Sequence, residues 1–218
     1  MSVEVEIKVC GVTRIEDAEA AIVFGAKMVG LNFYAKSPRY IAPVQAREIA
    51  RAVAGRARLV GVFVNMDPAE LLRIAGEVRL DAVQLHGDES PADCEAVASG
   101  FEVIRALKVD AQFSPARAAE FAACSGLLLD TPTPAHGGSG TSFDWAAVEW
   151  DSVRRAAPAA KLFLAGGLHA GNVAEAIAVA HPDVVDVCSG VESGKGIKSV
   201  ARMRDFVAAV RAAERQQP

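Results

Sequence analysis

The sequence predicts an α/β protein that forms a single-domain (β/α)₈ TIM barrel over residues 1–218. Eight short apolar runs recur at regular intervals, and Ala-rich segments with helical spacing lie between them. No change of composition or low-complexity linker divides the chain. A length of 218 residues also suits one barrel, because this fold needs about 200 residues or more.

The eight apolar runs are the predicted strands. In chain order they read VEIKVCG, MVGLNF, LVGVFV, AVQLHG, FEVIRALKV, GLLLDT, KLFLAGG and VVDVCSG. Several of them are continuously apolar, which is typical of parallel strands that are buried on both faces.

The segments between these runs are the predicted helices, and their starts carry helix-entry signals. Asp67 and Ser90 are capping residues, and each precedes a proline at the first helical position. A last amphipathic helix is expected over residues 200–214. A doubly wound open sheet shows the same alternation, but it usually carries a Gly-rich fingerprint after its first strand. Here that strand leads to C-G-V-T-R, so eight units and the missing fingerprint favour a closed barrel.

Composition and charge narrow the function classes. The formal net charge is −4 and Lys and Arg are scattered, which argues against nucleic acid as a partner. No apolar run reaches the roughly 18 residues that a membrane span requires, and MSVEVEIKV does not resemble a secretory signal. We therefore expect a cytoplasmic protein without membrane association. The four cysteines and four histidines show no metal-ligand spacing, so no metal site is expected.

A barrel of this kind carries its site on the loops that follow the carboxyl ends of the strands. The last two strands end in LAGGL and CSGVE, the positions where such barrels commonly bind phosphate. Glycine allows backbone N–H groups to approach phosphate oxygens closely. The candidate anion-binding residues are Gly166, Gly167, Ser189, Gly190 and Val191.

Two strand-end residues can carry acid–base chemistry. Asp130 ends the sixth strand, beside a Gly/Pro/Ser segment over residues 131–143 that has the length of a lid. Its carboxyl group is either a general acid or the cap of a turn. Cys10 ends the first strand, where its thiol is either a general base or buried filler, and filler is also the expectation for Cys188.

Three further polar residues complete the candidate site. Arg39 is expected in an exposed loop, where a guanidinium can hold a carboxylate bidentately. His86 is either a ligand contact or a hydrogen-bonded strand-end histidine. Gln84 lies two residues earlier and must share its orientation, because side chains alternate along a strand.

Taken together, several motifs resemble the phosphoribosylanthranilate isomerase family of tryptophan biosynthesis. They include K-V-C-G-V-T-R, S-P-R-Y-I, V-Q-L-H-G, L-L-L-D, L-A-G-G-L and S-G-V-E-S-G-K-G-I-K, and the resemblance runs from Lys8 to Lys198. It implies a cofactor-free barrel that converts N-(5-phosphoribosyl)anthranilate into 1-(2-carboxyphenylamino)-1-deoxyribulose 5-phosphate by an Amadori rearrangement. One departure is Ser199, which stands where family members often carry an acidic residue.

The resemblance also implies roles for the candidate residues. Cys10 matches the general base that removes the proton from C2′, and Asp130 matches the general acid that protonates the ring oxygen. Arg39 matches the arginine that holds the anthranilate carboxylate, and the two glycine turns match the phosphate loops. Gln84 and His86 are expected among the substrate-binding residues. The expected partner is a small phosphorylated substrate, and the chain is expected to be a monomer or a homodimer.

Two alternatives remain at this point. A histidine-pathway aminoaldose phosphate isomerase acts on a similar substrate, but those enzymes carry an aspartate where this chain has Cys10. A non-catalytic barrel that binds a phosphorylated metabolite would keep the glycine turns, yet it would have no use for Cys10 and Asp130 together.

Overall fold

The predicted eight-stranded barrel is present in a computed structural model that describes residues 4–132 and 142–216. All eight apolar runs form parallel strands, and the sheet closes because the first strand pairs with both the second and the eighth. The strands are Glu6–Val9 (β1), Met28–Asn32 (β2), Arg58–Phe63 (β3), Ala82–Leu85 (β4), Glu102–Lys108 (β5), Gly126–Asp130 (β6), Lys161–Leu164 (β7) and Val184–Val187 (β8).

Helices alternate with the strands around the outside of the barrel. They are Ile15–Phe24 (α1), Pro43–Val53 (α2), Pro68–Val78 (α3), Pro91–Ala98 (α4), Pro115–Ala119 (α5), Trp150–Ala156 (α6), Val173–Ala180 (α7) and Val200–Glu214 (α8). The bounds of α8 are those predicted from the sequence. A 3₁₀ turn at Ser189–Val191 follows β8, and a small hairpin of Glu192–Gly194 (β9) and Ile197–Lys198 (β10) comes before α8.

The helix starts follow the capping chemistry that the sequence predicts. Asp67 accepts hydrogen bonds from the backbone N–H groups of the first turn of α3. Ser90 and Asp93 form a reciprocal capping box at the start of α4. Ser199 caps α8 by accepting from the backbone N–H of Arg202. The serine that departs from the family pattern therefore serves the helix as an N-cap, a position that serine favours.

Two apolar clusters hold the barrel together. The larger one packs the outer faces of the strands against the helices. The smaller one is contributed by β2 to β8 and fills the inside of the sheet with Met28, Val60, Ala82, Ile104, Ala106, Leu128, Phe163, Ala165 and Val184. Since side chains alternate along each strand, residues at the strand ends point into the barrel mouth directly above this packing.

A buried ion pair lies beneath the mouth, between β1 and β8. Lys8 and Asp186 are register partners, and Lys8 Nζ lies 2.8 Å from Asp186 Oδ2. Lys8 is 0% exposed. Burial alone would lower the pKa of Lys8, but attraction to Asp186 and Cys10 outweighs it and raises that pKa above its ordinary value. This buried ion pair therefore links β1 to β8 two residues before Cys10.

No helix in the two described segments is long and apolar enough to cross a membrane.

Candidate active site

Cys10 follows β1 and lies against the backbone of β2. Its backbone N–H donates to the carbonyl of Val187, which fixes the start of the loop. A Cβ at Gly30 would lie 2.9 Å from the Cys10 sulfur and 3.0 Å from its Cα. Only glycine on β2 therefore leaves room for the thiol where it stands. The side chain is almost completely buried, with the residue 9% exposed.

The thiol of Cys10 is paired with a second thiol, that of Cys188 at the end of β8. A hydrogen bond to Cys188, together with burial, raises the pKa of Cys10 well above its ordinary value, although Lys8 opposes the effect. The same hydrogen bond lowers the pKa of Cys188 to about 7, with help from Lys198 and Arg39 and against the effect of burial. Cys188 is therefore more than filler, because it is the thiol of the pair that ionises first.

Arg39 is buried, not exposed as expected, and it carries an ion pair. Its Nε and Nη2 donate to the two carboxylate oxygens of Glu192 at 2.7 and 2.8 Å, and the residue is only 8% exposed. A Cβ at Gly11 would lie 2.6 Å from Arg39 Cδ, so the arginine stem packs directly on the loop after Cys10. The carboxylate that Arg39 binds bidentately in the structure is thus that of Glu192, a residue of the same chain.

Lys198 completes this side of the mouth, and sequence reasoning gave it no role. Its Nζ lies 3.1 Å from Glu192 Oε1, 3.1 Å from the carbonyl oxygen of Cys188 and 3.7 Å from the Cys188 sulfur. Burial would raise the pKa of Glu192, but the hydrogen bonds from Arg39 and the charge of Lys198 lower it. No signal in the sequence could have found it, because a lysine is normally exposed and its burial depends on contacts with distant residues.

Asp130 ends β6, and its carboxyl group is held at both oxygens. Oδ1 accepts from the backbone N–H of Thr131 at 2.7 Å, and Oδ2 lies 3.1 Å from His86 Nε2. His86 Nδ1 in turn lies 2.7 Å from Gln84 Nε2. The structure therefore joins three of the predicted residues in one chain across the barrel mouth. This contact also confirms that Gln84 and His86 share an orientation.

The turn that carries His86 is fixed by a buried ion pair on the outer side of the sheet. Glu89 accepts from the backbone N–H groups of Asn65 and Gly87 at 2.7 and 2.8 Å. Arg105 donates to Glu89 at 3.0 Å and to the carbonyl oxygens of Leu85 and Gly87. Such a network satisfies most polar groups of the turn, so the imidazole is presented from a rigid support.

Gly166 lies beside the acid as well as at the end of β7. It has a φ of +86°, and a Cβ there would lie 2.3 Å from Thr131 Oγ1 and 3.0 Å from Asp130 Oδ1. Both the backbone conformation and the lack of space require glycine. The residue predicted for an anion cradle therefore also shapes the surroundings of the carboxyl group.

The remaining predicted anion-binding residues come together at one part of the mouth. A Cβ at Gly190 would lie 2.0 Å from the carbonyl oxygen of Leu168, so the turns after β7 and β8 touch. Gly167 has a φ of +63°, and its carbonyl oxygen accepts from Asn172 at 3.0 Å. Ser189 and Gly190 are half-buried in the 3₁₀ turn, whereas Val191 is 0% exposed. Because this figure covers the whole residue, neither the backbone nor the side chain of Val191 is exposed at the mouth.

Residues 133–141 of the predicted lid lie outside the described residues. Among the residues that are described, no group of three or more histidine, cysteine, aspartate or glutamate side chains is placed to hold a metal ion. A cavity of about 940 Å³ lies at the opposite, amino-terminal end of the barrel, where Glu6, Arg58 and Asp81 are among its lining residues. None of the predicted site residues lines this cavity, because they lie at the other end of the barrel, at its mouth.

Comparison with known proteins gives consistent matches along the whole chain. The family model described as "N-(5'phosphoribosyl)anthranilate (PRA) isomerase" matches residues 7–209. N-(5'-phosphoribosyl)anthranilate isomerase of Pseudomonas paraeruginosa is 45% identical over 215 residues, which cover 98% of each chain.

Two solved structures agree with the sequence comparisons. The phosphoribosyl anthranilate isomerase of Thermotoga maritima superposes with a TM-score of 0.86 at 40% identity, over 95% of this chain and 99% of the other. A phosphoribosyl anthranilate isomerase in complex with reduced 1-(o-carboxyphenylamino)-1-deoxyribulose 5-phosphate superposes with a TM-score of 0.84 at 38% identity, over 95% and 99% of the two chains.

The closed barrel, with polar side chains and two contacting glycine turns at its mouth, places the protein in the class of (β/α)₈-barrel enzymes. Within that class, the match over residues 7–209 and the 45% identity over nearly the full chain are specific. The chain belongs to the phosphoribosylanthranilate isomerase family.

Proposed function

We propose that this barrel converts N-(5-phosphoribosyl)anthranilate into 1-(2-carboxyphenylamino)-1-deoxyribulose 5-phosphate, with Asp130 as general acid and Cys10 as general base. The observation that carries the proposal is the arrangement of the mouth. Asp130 stands on β6 and the thiol pair stands at β1 and β8, while the touching turns after β7 and β8 lie on the same rim. A ribose ring needs a proton on one side and loses one on the other, which suits groups on well-separated strands.

The first step opens the ribose ring. Protonated Asp130 gives its proton to the ring oxygen, the bond from C1′ to that oxygen breaks, and the nitrogen lone pair forms the iminium. Asp130 is left as a carboxylate, and its two hydrogen-bond donors, the Thr131 N–H and His86, stabilise that charge. Acid catalysis of this kind contributes about 10²–10⁴-fold in rate.

The second step removes the proton from C2′. We assign this role to the thiol of Cys10. Its hydrogen bond to Cys188 and its burial raise its pKa, so it stays protonated until the pair ionises. Because Cys188 ionises first, with a pKa of about 7, the pair can pass the Cys10 proton to Cys188. Cys10 then accepts the C2′ proton, and the electrons of the C–H bond move to form the enamine.

Arg39 and the glycine turns are proposed to bind the two ends of the substrate. Arg39 uses two of its nitrogen atoms for Glu192, so a substrate carboxylate would meet Nη1. Backbone N–H groups around Gly167, Ser189 and Gly190 would hold the phosphate. The other expectations stand as parts of the same proposal: one domain over residues 1–218, a cytoplasmic protein, a monomer or a homodimer, and no nucleic-acid partner.

Loss of phosphoribosylanthranilate fluorescence with purified protein tests the activity. We expect turnover by the unaltered chain, and a decrease in kcat of about 10²–10⁴-fold in Cys10→Ser and in Asp130→Asn, with KM little changed. Cys94→Ala is the matched control, because Cys94 is buried on α4 and remote from the mouth.

The outcomes separate the alternative functions. If the protein turned over a histidine-pathway aminoaldose phosphate in preference to phosphoribosylanthranilate, Asp130 and Cys10 would serve that reaction instead. Binding of phosphorylated metabolites without turnover of either compound would indicate a non-catalytic barrel. Near-normal kcat in Cys10→Ser or in Asp130→Asn would reject the role assigned to that residue.

A further inference from the structure

Gln84 and His86 lie in a hydrogen-bond chain that ends on the carboxyl group of Asp130. The two links, Gln84 Nε2 to His86 Nδ1 and His86 Nε2 to Asp130 Oδ2, measure 2.7 and 3.1 Å. Gln84 is 1% exposed and lies beneath the imidazole, and the side chain of His86 is 13% exposed. Both ring nitrogens of His86 are thus engaged by protein groups, which leaves the imidazole no polar atom for a substrate.

We propose that Gln84 and His86 are positioning residues: Gln84 keeps the proton of His86 on Nε2, from which the imidazole donates to Asp130 in both protonation states of the carboxyl group. The proposal rests on the proposed function of Asp130 as general acid. It replaces the expectation that Gln84 and His86 bind the substrate directly.

The chemistry of the three side chains favours one direction for the chain. A neutral imidazole donates at one nitrogen and accepts at the other. With the Gln84 amide nitrogen donating to Nδ1, His86 carries its proton on Nε2 and donates to Asp130 Oδ2. An ionised carboxylate accepts this N–H, and a protonated carboxyl group keeps acceptor capacity for it while its own O–H is directed at the substrate. No proton has to move within the imidazole during the reaction.

The orientation of the Gln84 amide matters for this role. Its buried Oε1 has no hydrogen-bond partner within residues 4–132 and 142–216. Turning the amide would place the proton of His86 on Nδ1 and leave Nε2, without a proton, against the ionised carboxylate of Asp130. A polar group that is buried with a single partner is costly, and its retention at this position is consistent with a role in the site.

The chain matters because a general acid changes its charge during the reaction. After Asp130 gives its proton to the ring oxygen, its carboxylate faces His86 and needs an N–H donor there. The chain supplies that donor, because Gln84 keeps the proton of the imidazole on Nε2 throughout. Loss of the link between His86 and Asp130 would leave Oδ2 unsupported and free to rotate, which disturbs the transition state more than substrate binding.

Two substitutions of His86 form a matched pair. The amide of glutamine reaches the position of the imidazole Nε2, whereas the amide of asparagine reaches only that of Nδ1. We expect His86→Asn to lower kcat about 10–100-fold with KM changed less than about twofold. We expect His86→Gln to keep most of the activity, since its amide can donate to or accept from Asp130. Equal losses in the two variants, or an increase in KM with kcat unchanged, would overturn the proposal.

A second measurement follows the protonation of His86 itself. It requires neither turnover nor a substitution at His86. In ¹⁵N NMR of the histidine side chains, Gln84→Glu should move His86 Nδ1 from the unprotonated to the protonated state, because an ionised glutamate can only accept. Gln84→Met is the control that removes the partner without imposing a direction. An Nδ1 signal that is the same in Gln84→Glu and in the unaltered chain would disprove the link. If the unaltered chain does not turn over phosphoribosylanthranilate but the signal moves, the proposed function fails and the hydrogen-bond chain stands.

Discussion

Removal of the buried cation beneath Cys10 should destabilise the barrel strongly. Lys8 is 0% exposed and its Nζ lies 2.8 Å from Asp186, which is itself 7% exposed. Asp186 Oδ1 has no hydrogen-bond partner among the described residues, so Lys8 is the main compensation for this buried charge. The variant Lys8→Met keeps a side chain of similar length and leaves the carboxylate unpaired.

The size of the effect follows from the burial of both partners. Breaking a buried ion pair by removal of one partner costs about 3–5 kcal/mol. For a chain of this length, each kcal/mol lowers Tm by about 2–4 °C, so we expect a decrease on the order of 10 °C. Thermal unfolding followed by circular dichroism measures this decrease.

The double variant Lys8→Met/Asp186→Leu is the control for this prediction. It removes both charges, and replacement of a buried pair by apolar side chains is often neutral. We therefore expect it to recover most of the lost Tm. A single Lys8→Met variant that unfolds within about 1 °C of the unaltered chain would refute the reasoning, because the carboxylate would then need no partner.

Three further predictions concern the mouth. Thiolate absorbance should show a step near pH 7 that is missing in Cys188→Ser, and a first ionisation near the ordinary thiol pKa would contradict the thiol pair. Gly166→Ala should lower kcat with less effect on KM, because the new methyl group would lie 3.0 Å from Asp130 Oδ1; unchanged kinetics would show that the loop adapts. Arg39→Lys should raise KM and cost about 1.5–3 kcal/mol in chemical unfolding, since lysine cannot hold Glu192 bidentately; an effect on kcat alone would contradict carboxylate binding by this residue.

The fold was predictable because its signals are local. Each strand is an apolar run, and Asp67 and Ser90 mark helix starts within three residues of the groups that they cap. The strand-end positions of Cys10 and Asp130 follow from the same pattern. Their shared location at the mouth then follows from the closed topology.

The partners within the site were not predictable from these patterns. Arg39 pairs with a glutamate 153 positions away, and His86 contacts Asp130 44 positions away. Such contacts are tertiary, and neither periodicity nor composition near either residue records them. The expectation of an exposed Arg39 was wrong for this reason, because a charged residue in a loop is normally solvated unless a distant partner buries it.

The groups around Asp130 and those around Cys10 occupy different strands. The first set belongs to β4, β6 and the turn after β7, and the second to β1, β8 and the connections that follow β2 and β8. Across the described segments, no hydrogen bond joins one set to the other. The changes in unfolding free energy that substitutions in the two sets cause should therefore be close to additive, because no shared hydrogen bond couples them.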